Sequence, residues 1–121
     1  MADRSVLGVG IVGAGFIGEF HVRSWTGVRD ADVVAVASRT RESAARVAAI
    51  AEELAVGTDV TVHDDVRALV RDPRVDAVWV LTPNHTRLDV IRAICDEVRG
   101  GASLPGLAIE KPLGRTVAEA Q

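Results

Sequence analysis

Five short apolar runs, rich in valine, alternate along the chain with segments patterned as helices. The runs cover residues 6–12, 33–37, 60–62, 75–81 and 107–110. Short β-branched runs bounded by turn residues are typical of buried strands. Strands that alternate with helices imply right-handed crossovers and parallel pairing. The order of the segments therefore predicts an α/β fold, with a doubly wound parallel sheet of five strands and helices on both faces.

The segments between the runs carry start signals of helices. Thr40 and Asp64 are predicted N-caps, because their side-chain oxygens can accept early backbone N–H groups. Thr86-x-x-Asp89 and the segment that begins at Thr116 are patterned as capping boxes. Two apolar stripes are predicted to face the core, Ile17, His21 and Trp25 on the first helix and Leu88, Ile91, Cys95 and Val98 on the fourth.

Composition limits the domain count and the classes of partner. A chain of 121 residues has room for one domain, which we place over residues 1–121. The formal net charge of −3 gives no basic patch for nucleic acid or for a membrane surface. Residues 1–5 include the polar residues Asp3, Arg4 and Ser5 and carry no signal-peptide pattern. With Cys95 as the single cysteine, we expect a cytoplasmic protein without an internal disulfide.

A glycine motif, Gly13-x-Gly15-x-x-Gly18, separates the first predicted strand from the first predicted helix. Gly13 permits a sharp turn out of the strand, Gly15 lets a pyrophosphate approach the main chain, and Gly18 lets the helix pack closely. The helix start presents unpaired N–H groups and a partial positive charge to an anion. The motif predicts dinucleotide binding by Gly13, Gly15, Phe16 and Ile17.

The end of the second strand bears on which dinucleotide binds. A site for NAD usually carries Asp or Glu there, whereas this chain has Ser38, Arg39 and Thr40. No carboxylate would repel a 2′-phosphate, and Arg39 could pair with one. We expect NADP to be favoured over NAD. The alternative is that Arg39 is a solvated loop cation and Ser38 only a turn residue.

Two further motifs follow the fourth and fifth strands in order. Thr82-Pro83-Asn84-His85 comes after the fourth strand, and Glu110-Lys111-Pro112 comes after the fifth. With the glycine turn, they resemble the glucose–fructose oxidoreductase, inositol dehydrogenase and rhizopine catabolism (Gfo/Idh/MocA) family over essentially the whole chain. The resemblance implies a Rossmann-type domain that binds NADP or NAD. It also implies hydride transfer to or from a sugar, a polyol or a similar secondary alcohol or carbonyl.

Lys111 is the predicted catalytic residue. It follows a strand at the end of the sheet where open parallel sheets bind ligands. A lysine near a cofactor can exchange a proton with a hydroxyl. The resemblance implies that Lys111 moves a proton during hydride transfer and that Glu110 orients it or contacts the ribose.

The remaining predicted contacts come from the segment after the fourth strand. The resemblance implies that Thr82, Pro83, Asn84 and His85 line the ribose and nicotinamide side of the cofactor. No metal role is expected for His85, which has no second ligand at metal-binding spacing. His21, Cys95, Trp25 and Trp79 are interpreted as packing residues.

The resemblance also implies what this chain lacks. Family members carry a second, α+β domain that holds substrate, a proton relay and often an oligomer interface, so we expect this chain to be truncated before that domain and inactive alone. The parent enzyme is expected to be a homo-oligomer. Two other functions remain open: a non-catalytic NAD(P)-sensing regulator, and a domain for another nucleotide, as in methyltransferases or nucleotide-sugar enzymes.

Overall fold

The computed structural model describes residues 6–121, and residues 1–5, in which no signal-peptide pattern was found, lie outside the described part. Its elements follow the predicted alternation. They are β1 Leu7–Val12, α1 Phe16–Ser24, β2 Ala31–Ala37, α2 Arg41–Glu53, β3 Thr61–His63, α3 Val66–Arg71, β4 Ala77–Val80, α4 Asn84–Arg99, β5 Gly106–Ile109 and α5 Val117–Ala120. A 3₁₀ turn, Trp25–Gly27, follows the first helix directly.

The five strands form one sheet in the order β3-β2-β1-β4-β5, and every pair is parallel. The doubly wound prediction is thereby confirmed. After β1 the chain builds outward through β2 and β3, then returns to the other side of β1 to form β4. The carboxyl ends of β1 and β4 thus flank the point where the strand order reverses, which is where open α/β sheets form a ligand crevice.

Each face of the sheet has its own apolar core. One core packs β1 and β2 side chains such as Ile11 and Val36 against α1 and α2, with Val22 and Val47. The other packs Val12, Val78 and Val80 against α3 and α4, with Leu69 and Ile94. Consecutive strand residues point to opposite faces, so Ile11 and Val12 of one strand serve different cores. This explains why the strands are near-continuous apolar runs.

The helix that follows β3 is capped by a different aspartate from the one predicted. Asp65 precedes α3, and its Oδ1 accepts the Ala68 N–H at 2.8 Å. Asp64 instead receives the Arg41 guanidinium at 2.6 Å. The prediction of Asp64 as the cap was wrong by one residue because either of two adjacent aspartates satisfies the sequence pattern, and the backbone turn selects the second.

The start and the buried face of α4 also differ from the prediction. The helix begins at Asn84, directly after Pro83, and Thr86 Oγ1 donates to the Pro83 carbonyl at 2.9 Å instead of capping. Its buried positions are Arg87 and Ile94, whereas Val98 of the predicted stripe is 42% exposed. Arg87, one position before Leu88 of the predicted stripe, is thus the buried residue of the first turn.

A similar shift of one position occurs on α1. Gly18 and Val22 are its buried residues, and Trp25 continues this face, while Ile17 is 40% exposed. His21 is half-buried at the side of the core. Between residues 6 and 121, no helix has the length and apolar character needed to cross a bilayer.

Candidate functional site

A cleft of about 770 Å³ opens at the carboxyl ends of the strands, over the point where the sheet order reverses. Every residue predicted to contact cofactor or substrate lines this cleft. They are Gly13, Gly15, Phe16, Ile17, Ser38, Arg39, Thr40, Thr82, Pro83, Asn84, His85, Glu110 and Lys111. Parallel strands explain this convergence, because segments that follow different strands meet at one edge of the sheet. Their role in binding remains a prediction.

The three glycines of the turn meet different surroundings. Gly13 has a φ of +107°, and a Cβ there would lie 2.8 Å from the Thr82 nitrogen. A Cβ at Gly18 would lie 2.2 Å from the Gly13 carbonyl oxygen, whereas one at Gly15 would meet nothing within 4 Å. Gly13 and Gly18 are therefore required by the fold itself. Gly15 borders open space at the start of α1, as close approach of a ligand requires.

The N-terminus of α1 is suited to an anion. Gly15 is its N-cap, so no side-chain oxygen caps the first turn. The Gly13 N–H donates to the Ala37 carbonyl at 2.9 Å, which fixes the turn against β2. The first amides of a helix have no intrahelical acceptor. Those of α1 therefore remain available to an oxyanion placed in the cleft.

Hydroxyl groups and a cation border the cleft at the end of β2. Thr40 caps α2 by accepting the Ser43 N–H at 3.3 Å, and Ser43 Oγ donates to Ser38 Oγ at 3.0 Å. Arg39, which stands between Ser38 and Thr40 in the chain, is exposed. Within residues 6–121 it has no ion-pair partner, whereas Arg41 is engaged by Asp64. This end of the cleft thus carries a positive group that is free to meet an anion.

The Glu110–Lys111 segment borders the cleft after β5. Glu110 Oε1 accepts the Lys111 N–H at 2.9 Å, and the Lys111–Pro112 peptide bond is cis. Glu110 Oε2 lies 3.7 Å from His21 Nε2. His21 Nδ1 lies 2.9 Å from the Ile17 carbonyl, which can only accept, so Nδ1 carries a proton.

The sequence analysis interpreted His21 as a packing residue only. In the structure it also contacts Glu110. Its ring also packs edge-on against Trp79, with centroids 4.9 Å apart. It joins α1 to the segment that holds Lys111. The contact between His21 and Glu110 could not be predicted from the sequence, because the two residues lie on elements distant in the chain.

Arg87 is a residue of the cleft that sequence reasoning missed. It lies in the first turns of α4 and is only 3% exposed. Its guanidinium donates to the Thr82 carbonyl at 2.5 Å and to the Pro112 carbonyl. The sequence did contain a signal that Arg87 lies on the buried face of the helix. Val90 and Ile94, which pack in the core, follow Arg87 at positions i+3 and i+7.

Ion pairs hold the helices beside the cleft together. Glu19 of α1 receives Arg46 of α2 at 3.0 Å and Arg23 of its own helix at 3.0 Å. Hydrogen bonds from Arg46 first, and then from Arg23, hold the pKa of Glu19 below its ordinary value.

No group of three His, Cys, Asp or Glu side chains within the described residues is placed to hold a metal ion.

Comparison with known proteins places residues 7–121 in one sequence family, described as an oxidoreductase family with an NAD-binding Rossmann fold. Inositol 2-dehydrogenase 1 of Saccharopolyspora erythraea is 41% identical over 112 residues, which cover 92% of this chain and 30% of that protein. Rhizopine catabolism protein MocA of Rhizobium meliloti is 31% identical over 93% of this chain and 31% of its own length.

Solved structures of dehydrogenases also resemble this chain. Myo-inositol dehydrogenase from Lactobacillus casei, in complex with NAD(H) and myo-inositol, superposes with a TM-score of 0.74 at 27% identity over 94% of this chain. The match covers 31% of that enzyme. The chain thus spans about 30% of the length of the relatives it matches, and the matched part is the one described as NAD-binding.

Proposed function

This chain belongs to the Gfo/Idh/MocA family of oxidoreductases, and on that premise we propose that it is the nucleotide-binding domain of an NAD(P)-dependent dehydrogenase. The domain comprises residues 1–121. The observation that carries the proposal is the meeting of the Gly15 turn and Lys111 in one cleft. A sensing module would need the turn alone, so the lysine in the cleft favours catalysis.

The residues of the cleft fit a dinucleotide. The open space at Gly15 admits a pyrophosphate to the first amides of α1, where the helix dipole favours negative charge. Ser38, Arg39 and Thr40 stand at the adenosine end, beside β2. Thr82 to His85, after β4, and Glu110, after β5, line the opposite end of the cleft. These positions support the proposal that the second group contacts the ribose and the nicotinamide.

Lys111 is the proposed catalytic residue. A bound nicotinamide ring would supply the hydride acceptor or donor. Lys111 holds or delivers the proton at the substrate oxygen, which gains or loses one as the carbon changes oxidation state. Glu110 accepts the Lys111 backbone N–H at 2.9 Å and so fixes the start of this segment. That contact supports an orienting role for Glu110.

We propose NADP as the favoured coenzyme, with NAD as the second. Support comes from Arg39, which is exposed at the end of β2 and has no ion-pair partner in residues 6–121. A charge-assisted hydrogen bond to a 2′-phosphate contributes about 1.5–3 kcal/mol. The structural relative from Lactobacillus casei holds NAD(H), so the proposed preference for NADP rests on the Arg39 side chain alone.

The substrate class follows from the relatives. Several relatives bear the name inositol 2-dehydrogenase, and we propose a polyol, a sugar or a similar secondary alcohol for the whole enzyme. The parent enzyme is proposed to be a cytoplasmic homo-oligomer whose further residues hold the substrate. Cys95 fits a reducing compartment, since it is a half-buried free thiol.

Calorimetric titration of the folded 121-residue chain with NADP and with NAD tests the proposal. We expect saturable binding of one coenzyme per chain, with NADP the tighter ligand. S-adenosylmethionine and a nucleotide sugar serve as controls for the other nucleotide classes, and we expect no binding of either. Tighter binding of a control than of both coenzymes would contradict the proposed function.

A further inference from the structure

Arg87 is buried in a way that stability alone does not explain. It is 3% exposed, and within residues 6–121 no carboxylate pairs with its guanidinium. Burial of a charge without a counter-ion is costly, and hydrogen bonds to carbonyls offset this cost only in part. Its Nε has no hydrogen-bond partner in the described part of the chain, and neither has the buried hydroxyl of Thr82.

The two carbonyls that Arg87 does reach belong to separate segments of the cleft. Thr82 follows β4, and Pro112 follows Lys111 after β5. The planar guanidinium donates from two nitrogens at once, which fixes the spacing between its acceptors. Arg87 thus bridges the two loops that border the proposed nicotinamide end of the cleft. Buried polar groups with incomplete partners occur preferentially where function requires them.

We propose that Arg87 is a positioning residue for the nicotinamide half of the site. By holding the Thr82 and Pro112 carbonyls on one guanidinium, it sets where Lys111 stands relative to the segment after β4. The adenosine half, formed by the Gly15 turn and the end of β2, does not depend on it. This inference rests on the proposed function, because it divides the proposed coenzyme site into two halves.

Arg87→Lys tests the inference, since lysine keeps the charge and loses the two-pronged geometry. Binding of ADP, which occupies the adenosine half alone, and of NADPH is measured for each variant, together with the fluorescence of the bound nicotinamide. We expect ADP binding within about twofold of the unsubstituted chain. We also expect NADPH affinity to fall about tenfold and the nicotinamide fluorescence enhancement to diminish.

Arg92→Lys is the matched control, because Arg92 is an exposed arginine on the same helix. We expect it to leave both ligands unaffected. Arg87→Gln, which keeps one donor group, is measured in the same way so that the test survives if the lysine variant unfolds.

Two results would overturn the inference. One is NADPH binding and fluorescence in Arg87→Lys equal to those of the unsubstituted chain. The other is an equal loss of ADP and NADPH binding, which would mark Arg87 as a general support of the fold. If the unsubstituted chain bound neither ligand, the proposed function itself would fail, which is a separate outcome.

Discussion

Gly15 and Gly18 of the glycine motif differ in what surrounds them. A Cβ at Gly18 would collide with the Gly13 carbonyl at 2.2 Å, whereas one at Gly15 would meet open space. The motif predicted close packing at Gly18 and close approach of a ligand at Gly15. The contact at Gly18 agrees with the first expectation, and the approach of a pyrophosphate at Gly15 stays a prediction.

Gly15→Ala should therefore lose coenzyme affinity, whereas Gly18→Ala should lose stability. Gly15 has a φ of −83°, which alanine adopts readily, so we expect its unfolding free energy to change by less than about 1 kcal/mol. Coenzyme affinity should fall at least about tenfold, because the methyl group occupies the pyrophosphate approach. Gly18→Ala should lower the unfolding free energy by about 1–3 kcal/mol through overpacking.

Chemical denaturation and coenzyme titration of both variants measure these effects. A Gly15→Ala chain that bound coenzyme as tightly as the unsubstituted chain would show that no ligand approaches the turn.

Arg39 offers a second test with a built-in control. Arg39→Ala should raise the dissociation constant for NADP by roughly one to two decades, since one charge-assisted contact is lost. Binding of NAD, which has no 2′-phosphate, should be nearly unchanged. Arg41→Ala, which removes an arginine already paired with Asp64 at 2.6 Å, should affect neither coenzyme. Equal or tighter NAD binding, unaffected by Arg39→Ala, would refute the preference.

Among the elements, the connection from α3 to β4 depends on a partly buried aspartate, Asp72. The Asp72 side chain is 9% exposed and lies 2.9 Å from His63 Nε2. Burial acts to raise its pKa, but the Arg74 N–H at 2.9 Å and the His63 imidazole outweigh burial, and the pKa lies below its ordinary value. A carboxyl group with a lowered pKa stabilises the fold above its ordinary pKa, and this contribution is lost as the pH falls through the lower value.

We therefore expect Asp72→Asn to lower the unfolding free energy at neutral pH. The difference from the unsubstituted chain should shrink as the pH falls below about 4, the ordinary range of an aspartate. Urea denaturation between neutral and acid pH measures it. Asp64→Asn, at a side chain that is 82% exposed, is the control and should show a small difference throughout. A constant difference for Asp72→Asn across this range would contradict the assignment.

The helices also show where sequence patterning stops being informative. The strands and their alternation with helices along the chain followed from the apolar runs, because β-branched residues and glycine turns mark them locally. The rotation of α4 did not follow, since the apolar residues Leu88 and Val98 suggested one face and the carbonyl acceptors of Arg87 imposed another. An arginine on a buried face is rare enough that hydrophobic periodicity discounts it.

The arrangement of all elements explains why the site residues could be predicted at all. Each predicted residue follows a strand, and a parallel sheet gathers such residues at one edge. What could not be predicted were contacts between gathered residues, such as His21 with Glu110 and Arg87 with Pro112. Those contacts depend on side-chain direction across elements distant in the chain.

We expect little or no turnover by the 121-residue chain alone. Positioning of substrate against a catalytic group contributes about 7–11 kcal/mol to a reaction, and the chain spans only about 30% of its relatives. We expect no reduction of NADP or NAD above background with myo-inositol, followed by absorbance of the reduced nicotinamide. Robust turnover by the purified 121-residue chain would refute this.

Amide chemical-shift mapping during a titration with NADP or NAD would locate the bound coenzyme on the fold. We expect the largest shifts at the Gly13–Ile17 turn, at Ser38 to Thr40 and at Thr82 to His85, with Glu110 and Lys111 included. The amide signals of Asp76 and Gly106, at the opposite edge of the sheet where β4 and β5 begin, should not shift. A folded chain whose amides did not respond to either coenzyme, or responded only at that opposite edge, would show that the cleft is not a dinucleotide site.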